Sequence, residues 1–197
     1  MTLEELYDLL LVKKPSSYLK NNEKELFDLI PEIKICKGFD QKNEWHIYDV
    51  YEHILHVVDS VPPTLVMRLT ALFHDIGKPL TYTEDENGVG HFYGHWEASQ
   101  RIFDAFAKKC GINEGIRKRV SDLIYYHDIN VSRLSESELE EMTRRLGKDG
   151  ISQLFDLKRA DLLAQNEKYH YLLEDYYKQK SKLLFKFQKA DERSMDG

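Results

Sequence analysis

The sequence predicts an all-α protein. Three observations carry this. Apolar stripes with a helical period recur along nearly the whole chain, helix start and stop signals separate them, and the one segment rich in turn residues, 81–93, is short. Residues 2–11 read as a short amphipathic helix and 23–30 as another, stopped by Pro31. The stretch 31–45 reads as a linker or extended arm. A helix runs over about 49–60, and Pro62-Pro63 begins the next, which ends at the Gly77-Lys78-Pro79 break. Asn87-Gly88 and Gly90 make 81–93 a loop or small hairpin. Helices follow at about 95–108, 114–127, 136–146, 150–165 and 167–188, with Ser135 and Glu138 as a capping box before the third of these. The expected organisation is a helical N-terminal extension and linker over 1–44, a single helical domain with a C-terminal helix over 45–188, and a frayed tail over 189–197.

Composition narrows the function classes. A chain of 197 residues, 42% hydrophobic and 31% charged, is enough for one domain with a full core. No apolar run approaches a membrane span, and MTLEELYDLLLVKK has acidic residues where a signal peptide carries positive charge. Cys36 and Cys110 lie far apart with no CxxC pair, which argues against a disulfide framework or zinc knuckle and suits a reducing cytoplasm. The net charge of −6 argues against coating extended nucleic acid but leaves room for a small or local phosphate ligand.

The helical stripes carry polar residues where apolar ones are expected. His74-Asp75 ends the apolar run LVMRLTALF, where a buried imidazole beside a carboxylate is costly without compensation. His127 continues the stripe of Ile116, Val120, Leu123 and Ile124. His95 is in phase with Ala98, Ile102 and Phe106, and Asp161 with Leu154 and Leu157. His53 lies one turn from Val50 and Val57, at the margin of its helix's apolar face. Each taken singly has an ordinary explanation as a hydrogen-bonded core residue. Four histidines and two aspartates directed inward from five helices are better explained by a shared metal site. Mixed nitrogen and oxygen ligands suit Mn, Fe, Co, Ni, Zn or Mg. His53, His74, Asp75 and Asp161 would hold one ion with coordination positions left open. His95 and His127 would hold a second, with Asp75 bridging.

The pattern H…HD…D resembles the signature of the HD-domain metal-dependent phosphohydrolases. The segments GFDQKNEWHIYDVYEHILHVV, LTALFHDIGKPLTYTEDENGVGHFYGHWEAS, YYHD and LKRADLLAQ resemble the HD region of bacterial tRNA nucleotidyltransferases over about residues 30–166. The resemblance implies an HD-domain helical bundle with His53, His74, Asp75 and Asp161 as ligands and His95 and His127 as companions. It also implies a cytoplasmic hydrolase acting on nucleotides, 2′,3′-cyclic phosphates or RNA ends through metal-activated water. Nothing upstream of His46 supplies the Gly-Ser and Asp-x-Asp motifs of the nucleotidyltransferase domain, so the resemblance does not extend to CCA addition.

Several further residues have two readings. Lys78 reaches a phosphate or complements a helix dipole. Arg159 binds phosphate or pairs with an acid. Arg144 and Arg145 contact a nucleotide or RNA, or are ordinary cations near a helix C-terminus. His46 and His91 flank the site in the resembling segments as substrate or supporting contacts, while His56 reads as surface. The run KQKSKLLFKFQK reads as a solvated face over Leu183, Leu184 and Phe187. On these grounds His74, Asp75 and Lys78 form the expected catalytic group. Lys78, Arg144, Arg145, Arg159, His46 and His91 are expected to bind substrate. The partner would be a small nucleotide or RNA-end phosphoester, with no membrane and extended nucleic acid less favoured. The alternative is a nucleotide- or RNA-binding module with an accessory role to a tRNA-processing enzyme.

Overall fold

A computed structural model describes residues 1–195, with side chains through Phe187. Four short helices open the chain: α1 (Leu3–Leu11), α2 (Pro15–Asn21), α3 (Glu23–Leu29) and α4 (Pro31–Lys34). The Thr2 hydroxyl and Glu5 form a capping box on α1. The sequence reading misses α2. Pro15 and the two serines resemble a turn, but proline at the first helical position lacks only an N–H that would have no intrahelical partner. The arm expected over 31–45 contains the single turn α4 and then runs irregularly to Asp49. Leu6, Leu10, Leu19, Leu26 and Ile33 from these helices join the same buried cluster as the rest of the chain.

The bundle proper begins with α5 (Val50–Ser60), capped by the Asp49 carboxylate, and α6 (Leu65–Phe73), capped by the Thr64 hydroxyl. α6 is central. It packs against α1, α5, α8 (His95–Cys110), α9 (Glu114–Tyr126) and α10 (Glu136–Leu163), and every residue from Met67 to Phe73 is buried. Its apolar composition follows from that position. Between α6 and α8 lie one turn of helix, α7 (Lys78–Thr81), and a two-stranded antiparallel hairpin, β1 (Thr83–Glu84) with β2 (Gly90–His91), paired Thr83 to His91. The hairpin alternative for 81–93 is the observed one.

The helices expected at 136–146 and 150–165 form the single element α10, kinked at Gly147, whose φ of +63° places it in the left-handed region that favours glycine. The last expected helix divides into a 3₁₀ segment over 167–172 and α11 (Leu173–Met195). Leu183 is buried, and Leu184 and Phe187 pack on the core beneath the lysine-rich face. The tail expected over 189–197 falls outside the residues whose side chains are described. No helix among the described residues is long and apolar enough to cross a membrane.

Candidate metal centre

Five helices deliver the inward polar residues to one place. His53, in the first turn of α5, is fully buried and so does not lie at the margin of that helix's apolar face. α5 is covered by α2, α6 and α10, so its apolar face is wider than the stripe of Val50 and Val57 suggests. His74 is the C-cap of α6, and His127 is the C-cap of α9. Asp161 lies in the last turn of α10. His95 is the first residue of α8, and Gly77 brings it in. A Cβ at Gly77 would sit 2.6 Å from the Ser99 backbone nitrogen and 2.7 Å from the His95 carbonyl oxygen, so only glycine lets the turn after Asp75 lie on the start of α8. The Gly77 N–H donates to Ser99 Oγ at 2.9 Å and fixes that contact.

The histidine rings are oriented by their own backbones. Nδ1 of His74, His95 and His127 lies 2.7, 2.8 and 2.6 Å from the carbonyl oxygens of Ala71, Phe92 and Ile124. A carbonyl only accepts, so each Nδ1 donates, and each ring in its neutral form presents a lone pair at Nε2. Those lone pairs meet. His95 Nε2 and His127 Nε2 lie 3.2 Å apart. Asp75 Oδ1 is 3.2 Å from the first and 3.4 Å from the second. On the other side, Asp75 Oδ2 lies 3.3 Å from Nε2 of both His53 and His74. Asp161 Oδ1 is 2.9 Å from His53 Nε2 and 3.8 Å from His74 Nε2.

These atoms fit a cation better than they fit one another. Both ring nitrogens of His53 and Nε2 of His74 have no partner with hydrogen-bond geometry among the described residues, although carboxylate oxygens lie close. Buried polar atoms without partners are rare because each costs its desolvation. Adjacent positions on an octahedral ion with bonds of about 2.1 Å are about 3 Å apart, which is the spacing found here. Two sets of potential ligand atoms lie within 4.8 Å of one another: His53, His74, Asp75 and Asp161, and Asp75, His95 and His127. Asp75 belongs to both and turns one oxygen toward each.

The charged groups of the cluster shift one another. Burial alone would raise the Asp75 carboxyl, but the charges of His74 and Lys78, with the His127 and His53 nitrogens close by, hold it well below the usual carboxylate range. Asp161 is held down in the same way, burial being outweighed by His53 and His74. Burial works to lower His74, yet Asp75 and Asp161 raise it to about 10. Burial dominates at His127, which is lowered. Lys78 is buried with its Nζ 2.7 Å from Asp75 Oδ2, and it donates to Gln41 Oε1 at 2.8 Å. His46 Nε2 stands 3.1 Å from the same ammonium, and burial with the charges of Lys78 and His53 presses His46 down to about 2.

Two cavities meet at the cluster and share His46, His127, Asp128, Asp161 and Gln165. The smaller, about 220 Å³, is lined by Lys78, His91 and His95 under the hairpin; the larger, about 480 Å³, extends past Lys158 toward α11. The structure thus gathers His46, His53, His74, Asp75, Lys78, His91, His95, His127 and Asp161. It does not gather the three arginines. Arg144 pairs with Glu141 and Arg145 with Asp122 in a separate groove between α8, α9 and α10. Arg159 is exposed and donates to Tyr177 Oη at 3.3 Å, so its observed partner is a phenol rather than an acid. His56 is exposed, as expected, and stacks on Tyr48.

Two participants escape the sequence reading. Gln41 is buried and holds Lys78 from a segment read as linker. Lys158 is buried, donates to the carbonyls of His127 and Ile129, and is lowered to about 8 by burial. Its signal was available: Lys158 stands one turn from Leu154 and one turn from Asp161, in phase with the buried stripe.

Comparison with known proteins agrees with this geometry. The chain is 33% identical over 168 residues to the CC-adding tRNA nucleotidyltransferase of Thermus thermophilus, covering 81% of this chain and 35% of that one. It is 29% identical over 113 residues to the A-adding tRNA nucleotidyltransferase of Deinococcus radiodurans, 54% of this chain and 26% of that one. It is 27% identical over 123 residues to the multifunctional CCA protein of Cupriavidus metallidurans, 60% of this chain and 29% of that one. The chain therefore spans about a third or less of the length of these relatives. The profile of the HD-domain family matches residues 45–193, a span that contains every one of the converging histidines and aspartates, and the chain belongs to that family.

Proposed function

We propose that the protein is a metal-dependent phosphohydrolase acting on phosphoesters of nucleotides, 2′,3′-cyclic phosphates or RNA ends. The observation that carries the reading is the shared carboxylate: Asp75 turns Oδ2 to His53 and His74 and Oδ1 to His95 and His127, with lone pairs converging on both sides. His53, His74, Asp75 and Asp161 would hold one divalent ion, and Asp75, His95 and His127 a second. Such ions, when bound, polarise a phosphoryl oxygen and lower the pKa of water toward neutrality.

The chain's own residues do the rest. The backbone carbonyls of Ala71, Phe92 and Ile124 hold the three rings so that Nε2 faces inward. Lys78 fixes Asp75 and sets a positive charge on the wall of the smaller cavity, where the phosphoryl group would enter. His46 and His91 line the same cavity, His91 held by Asp85 at 3.1 Å. Arg144, Arg145 and Arg159 have no part in this reading. We place the protein in the cytoplasm, in keeping with its two unpaired cysteines.

The test is hydrolysis of bis(p-nitrophenyl) phosphate and 2′,3′-cyclic AMP by protein loaded with Mn, Co, Ni or Mg. Turnover lost on chelation and restored by metal is the expected result. Metal-loaded protein that is inert toward the panel yet binds nucleotides tightly would instead be an accessory binding module, in line with the tRNA-processing names of its relatives.

A further inference from the structure

The larger cavity has a character of its own. At about 480 Å³ it lies in the range of small-molecule sites, and it opens directly on Asp161 and His127. Trp45 and Tyr176 give it aromatic walls, and Trp45 is held by stacking on Tyr169 with ring centroids 3.5 Å apart. Asn130 and Gln179 supply amides, and Asp128 and Asp175 supply carboxylates. With Asp161 assigned to a metal, those two acids face one cation, Lys158, whose ammonium donates to the carbonyls of His127 and Ile129. No arginine is among the described residues that line it.

The smaller cavity differs: Asp128 borders it too, but Asp175 does not, and Lys78 and four histidines stand on its walls. The two sides of the centre therefore differ in what they can accept. A phosphate is favoured on the smaller side. On the larger side a second phosphate would lie beside two carboxylates with no guanidinium to offset them. A neutral, hydroxyl-rich group suits it: carboxylates accept hydrogen bonds from hydroxyls, and aromatic walls suit a base.

We propose that the larger cavity is a nucleoside subsite in which Asp128 and Asp175 accept the sugar hydroxyls and repel a second phosphate, so that the protein selects nucleotides with one phosphate over nucleoside di- and triphosphates. The orientation, with the phosphate toward Lys78, rests on the phosphohydrolase reading.

Binding measured in chelator, where metal-dependent turnover is stopped, tests the subsite apart from activity. Trp45 lines the larger cavity and Trp96 the smaller, so the Trp96→Phe variant reports from the larger cavity through Trp45. Adenosine is expected to change that fluorescence, and AMP to bind at least about ten-fold more tightly than ATP. Asp128→Asn with Asp175→Asn is expected to narrow the ratio to under about three-fold, and the exposed Asp175→Asn alone to narrow it part of the way. No response to adenosine, ATP binding as tightly as AMP, or an unchanged ratio in the variants overturns the proposal. Bis(p-nitrophenyl) phosphate has no sugar, so its turnover separates the two claims. Turnover without a nucleoside response removes the subsite alone. A nucleoside response with no turnover removes the phosphohydrolase reading and leaves the subsite standing.

Discussion

The metal centre and the groove between α8, α9 and α10 are both rich in charge, and they handle it in opposite ways. In the groove each arginine has an acid of its own. Arg117 lies 2.7 Å from Asp104 and 2.6 Å from Glu114, Arg144 lies 2.6 Å from Glu141, and Arg145 pairs with Asp122. At the centre, buried nitrogens of His53 and His74 have no hydrogen-bond partner among the described residues, and the Nε2 atoms of His95 and His127 face each other. Exposure separates them further: the Arg144 side chain is 73% exposed, while those of His53 and His74 are 0% exposed. Charges that satisfy one another near water need no ligand. Charges that converge without satisfying one another inside a core do.

The largest effect expected from breaking this contrast is at Asp75. Asp75→Ala removes the carboxylate common to both ligand sets, so metal content measured by mass spectrometry on protein purified without chelator should fall at least about 100-fold. Full stoichiometry in that variant would sink the site assignment. Metal addition probes the same centre without mutation. Saturating a binding site at 100 times its dissociation constant stabilises the fold by about 2.7 kcal/mol. For a chain of this size that should raise Tm by about 5–11 °C in a thermal melt, a shift that chelator reverses. An unchanged Tm with Mn, Co, Ni and Mg would mean that the unpartnered nitrogens are not ligands.

The contrast was only half legible in the sequence. His95, His127 and Asp161 declared themselves because each interrupts an apolar stripe, a signal local to one helix. His53 was read as marginal because one helix's stripe does not show how many neighbours cover it. Lys158 and Gln41 were missed because lysine and glutamine are ordinarily surface residues, and their burial follows from the packing of distant segments. The arginines differ from these in the other direction. Arg144 and Arg145 looked available for a phosphate because the acids that occupy them cannot be assigned by inspection: Glu141 is one turn away, but Asp122 comes from another helix. Helix boundaries fared better, since Thr2, Asp49, Thr64 and Ser135 cap them locally. The kink at Gly147 was foreshadowed by the gap between the two helices expected there.

A third prediction asks whether the groove is structural. Asp122 is buried, with 6% of its side chain exposed, and Arg145 lies over the rings of Tyr125 and Tyr126 as well as pairing with it. Arg145→Ala strands that carboxylate and should cost about 1–3 kcal/mol in chemical denaturation. Metal affinity should stay at the wild-type value. A variant with normal stability but weakened nucleotide binding would return Arg145 to the substrate-binding set.

The smallest effect belongs to Arg144, and it is the strictest check on the contrast. Its bidentate pair with Glu141, one turn away on α10, is open to water on both sides, with exposures of 73% and 49%. Such a pair is screened by solvent and loses side-chain entropy on forming, so Arg144→Ala should change stability by no more than about 0.5 kcal/mol. Turnover and metal content should not change. If hydrolysis of an RNA-end substrate fell while that of bis(p-nitrophenyl) phosphate held, the groove would be reading the remainder of a longer ligand. Pairing with a neighbouring acid would then be how the arginine waits for that ligand, and satisfied charge could no longer be taken as a sign of a merely structural role.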